Sequence, residues 1–181
     1  MDDGARTVRL RDGSLVVVRP VHPTDVPLLV DGFARLSPQS RRQRFLTAKT
    51  ELTPDELRRL TELDHHDREA LGAVDVRTGQ GVGIARYVRP ADEPQTAEVA
   101  VTVVDEWHRR GVATALLHRL ALRARDAGIF AFTALVSVDN DAMTGLLRTV
   151  AGVELTHLDA DVAEYEIALV PMLCGLRCRA A

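Results

Sequence analysis

The segment of residues 101–114 reads Val101-Thr102-Val103-Val104-Asp105-Glu106-Trp107-His108-Arg109-Arg110-Gly111-Val112-Ala113-Thr114. Its β-branched beginning predicts a strand, and its end predicts a helix that starts after a tight turn. A helix N-terminus presents unpaired backbone N–H groups and a partial positive charge, so it can receive a phosphate. Gly111 and Ala113 would let such a ligand approach, and Arg109 and Arg110 add positive charge. Judged from the glycine alone, however, a helix that merely begins after a basic turn is the better interpretation.

The residues that follow continue this helix and return to strand. Apolar residues at helical spacing (Val112, Leu116, Leu120 and Ala124) predict one buried face through Ala127, with Gly128 as the stop. Next come a continuous apolar run at 129–136, typical of a central strand, a helical stretch at 140–150 and two strands at 153–158 and 162–169.

The residues before the segment predict one strand, three short helices and an antiparallel meander. The strands are at 14–21, 70–76, 81–88 and 96–104. The helices run from Thr24 to Leu36, from Ser37-Pro38 toward Phe45, and onward from the capping box Thr53-Pro54-Asp55-Glu56. This order predicts a mixed α+β layer rather than an alternating, doubly wound sheet.

Length and composition predict one domain over residues 1–181, with 46% hydrophobic and 27% charged residues. The net charge of −3 argues against nucleic acid as a partner. We interpret the basic stretch Arg41-Arg42-Gln43-Arg44 as a solvated helix face. No apolar run is long enough to span a membrane and no signal segment is present, so we expect a cytoplasmic protein. Cys174 and Cys178 lack the further ligands that zinc needs, so we expect reduced thiols and no metal site.

The segment His108-Arg109-Arg110-Gly111-Val112-Ala113 resembles motif A of the GNAT superfamily of acetyltransferases, a Gln/Arg-x-x-Gly-x-Gly/Ala signature that follows a strand. His108 departs from the first position of that signature. The resemblance extends over most of the chain, with a core at about residues 7–170. It implies the GNAT fold, a mixed central sheet of about seven strands flanked by helices, and acetyl-coenzyme A (acetyl-CoA) as the acetyl donor.

The resemblance also implies the residues that bind the donor. The pyrophosphate would rest on the amides of Arg109, Arg110, Gly111, Val112, Ala113 and Thr114. The pantetheine arm would pair with the backbone of Val101 and Val103, which requires a splayed strand edge. Asn140 matches the family asparagine that faces the coenzyme. It is equally well explained as a helix cap, and the two roles are compatible.

Acetyl transfer needs an uncharged amine, although a lysine amine has an ordinary pKa of about 10.4. We expect Glu98 to accept the proton, directly or through water, with partial burial raising its affinity for it. The alternative is an exposed residue on the polar side of the strand. A backbone N–H near Val103 would polarise the thioester carbonyl. Leu147 stands where many family members have a tyrosine acid, and Leu135 where ribosomal-protein acetyltransferases have a glutamate.

The acceptor is the least determined part of the reaction. The stretches Leu10-Arg11-Asp12-Gly13, Val18-Arg19-Pro20 and Leu36-Ser37-Pro38-Gln39-Ser40-Arg41 look like the catalytic domain of bacterial protein lysine acetyltransferases. That likeness favours a protein lysine as acceptor. The alternatives are a small-molecule amine acceptor and a non-catalytic acyl-CoA sensor. The sequence does not indicate an oligomeric state.

Overall fold

The computed structural model describes residues 4–177, and in them eight strands form one sheet. The strands are β1 (Arg6–Arg9), β2 (Leu15–Pro20), β3 (Arg68–Asp75), β4 (Gly81–Val88), β5 (Thr96–Val103), β6 (Ala131–Ser137), β7 (Val153–Leu158) and β8 (Val162–Ala168). The helices are α1 (Val26–Ala34), α2 (Pro38–Phe45), α3 (Pro54–Thr61), α4 (Val112–Asp126), α5 (Asp141–Leu147) and α6 (Leu169–Arg177). The α+β prediction is confirmed, with eight strands rather than about seven.

The strands lie in the order β1-β2-β3-β4-β5-β6-β8-β7. Every neighbouring pair is antiparallel except β5 and β6, which are parallel because the connection between them crosses over through α4. Their pairing covers three residues of each strand, Thr96–Glu98 against 131–133. From Val99 onward the two strands diverge, so the middle of the sheet is open at one end.

Helices cover both faces of the sheet. Leu28 and Phe33 of α1 border a pocket with Ile84 and Thr102, which point to one face, while α4 packs on the other face against β3 and β4. The predicted face of α4 is confirmed: Val112, Leu116, Leu120 and Ala124 are buried. Because burying a leucine side chain contributes about 1.5–3 kcal/mol, this face holds the start of α4 firmly against the sheet.

The sequence patterns did not predict two elements, β1 and α6. The four residues of β1, Arg-Thr-Val-Arg, show no alternation of apolar and polar side chains, and they form a strand because the turn at Asp12-Gly13 folds them back onto β2. In α6, a proline in the first turn hides the helical pattern, and burial of Leu169, Met172 and Leu173 stabilises the helix. A third difference is that a 3-10 turn, Pro23–Asp25, precedes α1, so Thr24 is not its cap.

Two further expectations concern the membrane and the cysteines. Within residues 4–177, no helix combines the length and apolar character that crossing a membrane requires. Cys174 is exposed with a free thiol, and Cys178 lies outside the described residues.

A buried carboxylate, Glu69 on β3, ties the sheet to α4. Its side chain is 0% exposed. Arg123 Nε donates to Glu69 Oε2 at 2.5 Å, the Ala70 N–H donates to Oε1 at 3.0 Å, and His65 Nδ1 lies 2.9 Å from Oε1. A buried charge needs such partners, since desolvating it is unfavourable.

Replacing Arg123 should therefore destabilise the fold more than replacing a neighbouring arginine. We expect Arg123→Met to lower the free energy of unfolding by about 3 kcal/mol, because it leaves the buried carboxylate without its cation. Urea unfolding of Arg123→Met and of Arg125→Met, an exposed position on the same helix, would measure this difference. Adding Glu69→Leu to Arg123→Met should restore most of the stability, and equal effects of the two single variants would contradict the role of the pair.

Candidate functional site

A cleft of about 540 Å³ lies where β5 and β6 diverge. Its walls come from residues 99–103 of β5, residues 134–136 of β6, the start of α4, α5 and one face of α2. The structure brings eight of the predicted coenzyme residues together on this cleft: Val101, Val103, Arg109, Gly111, Val112, Ala113, Thr114 and Asn140. Arg110 and Glu98 do not line it.

On the side of β5 that faces β6, backbone N–H and C=O groups border the cleft. At one end of the strand Gln95 O accepts the Phe130 N–H at 2.8 Å, and at the other end the Val104 N–H donates to Val82 O at 3.0 Å. Because alternate residues of a strand direct their N–H and C=O groups to the same side, Val99, Val101 and Val103 face β6. β6 has diverged there, so an extended ligand could pair with these groups as an added strand would.

The turn before α4 has the backbone shape of an anion receptor. Arg109 (φ 59°) and Gly111 (φ 100°) both adopt left-handed conformations, which aim successive N–H groups at one point. The first intrahelical bond of α4 runs from the Ala115 N–H to Gly111 O at 3.0 Å, so the N–H groups of residues 112–114 precede it. With the side chains of Arg11 and Arg109 on the same cleft, these residues fit a phosphate-bearing ligand such as coenzyme A.

Two side chains of this turn have structural roles. His108 Nε2 donates to Val103 O at 2.8 Å, which fastens the turn to the end of β5 and leaves the N–H of Val103 for a ligand. The Arg110 guanidinium lies 3.2 Å from Asp12 and stacks over the Trp107 ring at 4.8 Å from its centroid. The structure therefore does not bring the charge of Arg110 to the cleft, in contrast to the prediction.

The opposite wall is formed by α5, whose N-cap is Asn140. Its Oδ1 accepts the Met143 N–H at 3.0 Å, and the residue also lines the cleft, so it caps the helix at the edge of the site. Leu147 is buried and Leu135 is exposed, and both line the cleft. Neither leucine can donate or accept a proton.

Glu98 occupies the last position at which β5 and β6 pair, opposite Thr133. It therefore lies at the vertex where the strands separate. The expected partial burial is wrong: the side chain is exposed. The backbone N–H of Val103 is five residues away, about 16 Å at roughly 3.3 Å per residue, too far to act on a carbonyl beside Glu98. The N–H of Val101 is nearer and faces the cleft, whereas the N–H of Val99 belongs to the last pairing with Thr133.

Four polar residues of the cleft were missed by the sequence analysis. Ser40, Gln43 and Arg44 lie at i, i+3 and i+4 on α2, so one face of that helix covers the cleft, and Arg11 joins them from the turn after β1. The prediction that residues 41–44 form a solvated face is wrong except at Arg42, which is exposed. An amphipathic signal was absent, because the cleft-facing residues of α2 are as polar as its outer ones.

Two aspartates anchor α2 across the open strands. Asp105, just after β5, accepts the Ser37 N–H at 3.0 Å, the Ser37 hydroxyl at 2.7 Å and the Ser40 hydroxyl at 2.9 Å. Asp139, just after β6, contacts Arg42 and accepts from Gln43 Nε2 through its backbone O at 3.1 Å. Burial works to raise the pKa of Asp105, but the hydrogen bonds from Ser37 and Ser40 outweigh it and hold the pKa below its ordinary value.

The histidines at 65 and 66 belong to a polar loop before β3. His65 lies against Glu69 and His66 Nδ1 lies 2.9 Å from Asp67 Oδ1. Across residues 4–177, no group of three or more His, Cys, Asp or Glu is arranged to hold a metal ion.

Comparison with known proteins gives a consistent assignment. The profile of the acetyltransferase (GNAT) family matches residues 37–152. The chain is 29% identical over 177 residues to acetyltransferase Pat of Mycolicibacterium smegmatis, covering 92% of this chain and 53% of that protein. It thus spans about half the length of Pat. It is 33% identical over 139 residues to acetyltransferase PA5475 of Pseudomonas aeruginosa, covering 76% of this chain and 74% of that protein.

The fold has a close counterpart among solved structures. The crystal structure of the GNAT domain of S. lividans PAT superimposes with a TM-score of 0.85 at 30% identity, covering 93% of this chain and 98% of that one.

The left-handed conformation at Gly111 allows a test of the turn at residues 108–111 before α4, which we call the phosphate turn. Because an L-residue at positive φ costs about 1–2 kcal/mol, we expect Gly111→Ala to reshape the turn and raise the Kd for acetyl-CoA about tenfold. Calorimetric titration would measure the change. Gly128→Ala, at φ 81° beyond the other end of α4, imposes similar strain and should leave the affinity unchanged. Equal losses in both variants would contradict a local role for Gly111.

The anchoring of α2 by Asp105 predicts a pH-dependent stability. Asp105→Ala should lower the free energy of unfolding by about 1–3 kcal/mol, because it leaves the Ser37 N–H and two hydroxyls without their acceptor. The folded-state pKa lies below the ordinary 3.8, so the contribution is full above pH 3.8 and is lost as the pH falls through the folded-state value. Urea unfolding between pH 7 and pH 3 should show the difference from wild type shrinking in acid, whereas Glu106→Ala, at an exposed neighbour, should show little difference at any pH.

Proposed function

The chain belongs to the acetyltransferase (GNAT) family, and from this premise we propose that it transfers the acetyl group of acetyl-CoA to a primary amine by direct attack. The observation that carries the proposal is the cleft between β5 and β6. It joins a phosphate-receiving turn to an unpaired strand edge, and the vertex of the two strands lies at Glu98, which does not itself line the cleft. We further propose that residues 7–170 form a single catalytic domain.

Acetyl-CoA would bind along β5, with its pyrophosphate beyond the Val103 end of the strand and its acetyl group toward Glu98. Its pyrophosphate would accept hydrogen bonds from the backbone of residues 109–114, with charge from Arg11 and Arg109. Its pantetheine arm would pair with the groups of Val101 and with the N–H of Val103. This places the thioester toward the vertex, near Glu98, where the N–H of Val101 can polarise the carbonyl.

We propose Glu98 as the group that takes the proton from the amine. At pH 7 an amine with a pKa of about 10.4 is almost fully protonated, and freeing it costs about 4–5 kcal/mol at roughly 1.36 kcal/mol for each pH unit. Among the residues that the structure describes, no hydrogen bond or ion pair engages the Glu98 carboxylate, so it is available to an incoming ammonium group. Its exposure allows proton transfer directly or through one water.

A protein lysine is the acceptor that the geometry favours. Another pocket, beneath α1, has a volume of about 90 Å³, well below the roughly 300–1,000 Å³ of small-molecule sites. It lies at the level of Thr102, away from Glu98. An exposed carboxylate is reachable by a long side chain on a large partner, so an acceptor lysine could approach from solvent. The resemblance of residues 10–13, 18–20 and 36–41 to bacterial protein lysine acetyltransferases agrees with this choice.

The variant Glu98→Gln tests whether the chain acts as an enzyme or as a non-catalytic acyl-CoA sensor. We expect turnover to fall about 10²–10⁴-fold, the usual contribution of a general base, while the affinity for acetyl-CoA stays unchanged. Coenzyme A release measured with protein lysates and with a panel of small amines would also identify the acceptor class. Glu166→Gln is the matched control, since Glu166 is exposed in the same row of the sheet, opposite Thr133. Unchanged turnover in Glu98→Gln would remove Glu98 from the reaction, and a wild type without turnover on any amine would favour the sensor.

A further inference from the structure

At position 147, where the family resemblance places a tyrosine that protonates the departing thiolate of coenzyme A, the wall of the cleft is a buried leucine. Resting on the proposed function, we propose that Arg44 of α2 stabilises the negative charge that develops at the acyl end of the coenzyme. That charge appears on the carbonyl oxygen during attack and on the sulfur as it leaves. Arg44 is then a further catalytic residue that acts through its charge.

The placement of Arg44 separates it from the other charged side chains of the cleft. Those others are Arg11, His108 and Arg109, and all three belong to the phosphate turn or border it. Arg44 borders the cleft from α2, and it also borders the pocket beneath α1. The electrostatic influence of Glu98 and of Arg86, which pairs opposite Ala100, reaches its guanidinium. The cation is therefore close to the proposed reaction centre.

Arg44 also lacks an anionic partner. Within residues 4–177 its guanidinium makes no hydrogen bond or ion pair, and it lies over the Phe45 ring at 5.0 Å from the centroid. Burial, and to a smaller extent the positive charge of Arg86, lower the pKa of Arg44 to about 10, with Glu98 acting in the opposite direction. The side chain is thus charged at pH 7. A desolvated cation interacts with a nearby anion far more strongly than one in water, so it is suited to receive developing charge.

The helix that carries Arg44 is fixed at two points. Asp105 holds the first turn of α2 through Ser37 and Ser40, and Asp139 holds its later residues through Arg42 and Gln43. Electrostatic stabilisation is effective when the charge is held in place before the reaction, since no reorganisation is then needed. The two anchors supply that rigidity.

The chemical step balances without a proton from Arg44. The amine nitrogen forms a bond to the acyl carbon, the carbon–sulfur bond breaks, and its electron pair stays on sulfur as a thiolate. The ammonium group gives one proton to Glu98 before the attack, Glu98 passes it to solvent, and the nitrogen loses a second proton by the same route as the amide forms. Arg44 neutralises the thiolate, which solvent protonates later.

The test compares Arg44→Gln with Arg44→Lys, which keeps the charge. We expect kcat to fall about 10²–10³-fold in Arg44→Gln, as for the loss of one oxyanion donor, with a smaller fall in Arg44→Lys and unchanged KM for acetyl-CoA. Arg58→Gln, at an exposed position on α3, is the control. A raised KM for the amine with unchanged kcat would overturn the proposal, because the cation would then bind an anionic group of the acceptor.

A binding measurement identifies which atom carries the charge. A thiol with an ordinary pKa near 8.5 ionises more readily beside a cation, so wild type should bind coenzyme A more tightly as the pH rises toward that value. S-methyl-coenzyme A cannot ionise at sulfur, so its pH dependence reports everything that the two ligands share, namely the phosphates and the charged protein groups of the cleft such as His108, Arg109 and Arg11. Loss of the difference between the two ligands in Arg44→Gln supports the thiolate. A kcat defect in Arg44→Gln without any such difference in wild type supports the carbonyl oxygen.

The proposal and the general function can fail separately. Equal loss of affinity for both ligands in Arg44→Gln would show a structural or phosphate-binding role and would overturn the proposal. If Arg44→Gln keeps full turnover while Glu98→Gln loses it, the acetyltransferase function stands and the inference about Arg44 fails.

Discussion

The early end of pairing between β5 and β6 is the constraint on which the site depends. Neighbouring strands normally share hydrogen bonds along their length, and a buried backbone group left unpaired is unfavourable. Here pairing stops at Glu98 and Thr133, so the inner edge of residues 99–103 remains open. Side chains from α2, α4 and α5 border the gap. The resulting cleft offers backbone donors and acceptors that an extended ligand can satisfy.

The same divergence explains the position of α2. This helix spans the ends of the two separated strands, bound to Asp105 after β5 and to Asp139 after β6. Its polar inner face is therefore placed over the cleft rather than over an apolar core. That arrangement accounts for the low hydrophobicity of this helix, and for an arginine that has no hydrogen-bond or ion-pair partner among the described residues.

Local sequence patterns predicted much of the fold. The 3.6-residue spacing of Val112, Leu116 and Leu120 predicts α4 because its buried face repeats at each turn. Period and turn residues likewise predict the meander β3-β4-β5. β1 and α6 were not predictable in this way. A four-residue strand is defined by its partner, and α6 is held by packing against α4.

The sequence by itself determined the strand, turn and helix around Gly111, because left-handed backbone and small side chains are local requirements written into adjacent residues. It also indicated the family and the position of Glu98 on its strand. Only the tertiary structure decided that Glu98 is exposed at a vertex, that Arg110 turns toward Asp12, and that Arg44 faces the cleft. Each of these depends on contacts between elements that are far apart in the sequence. Such contacts produce no periodic pattern of residues.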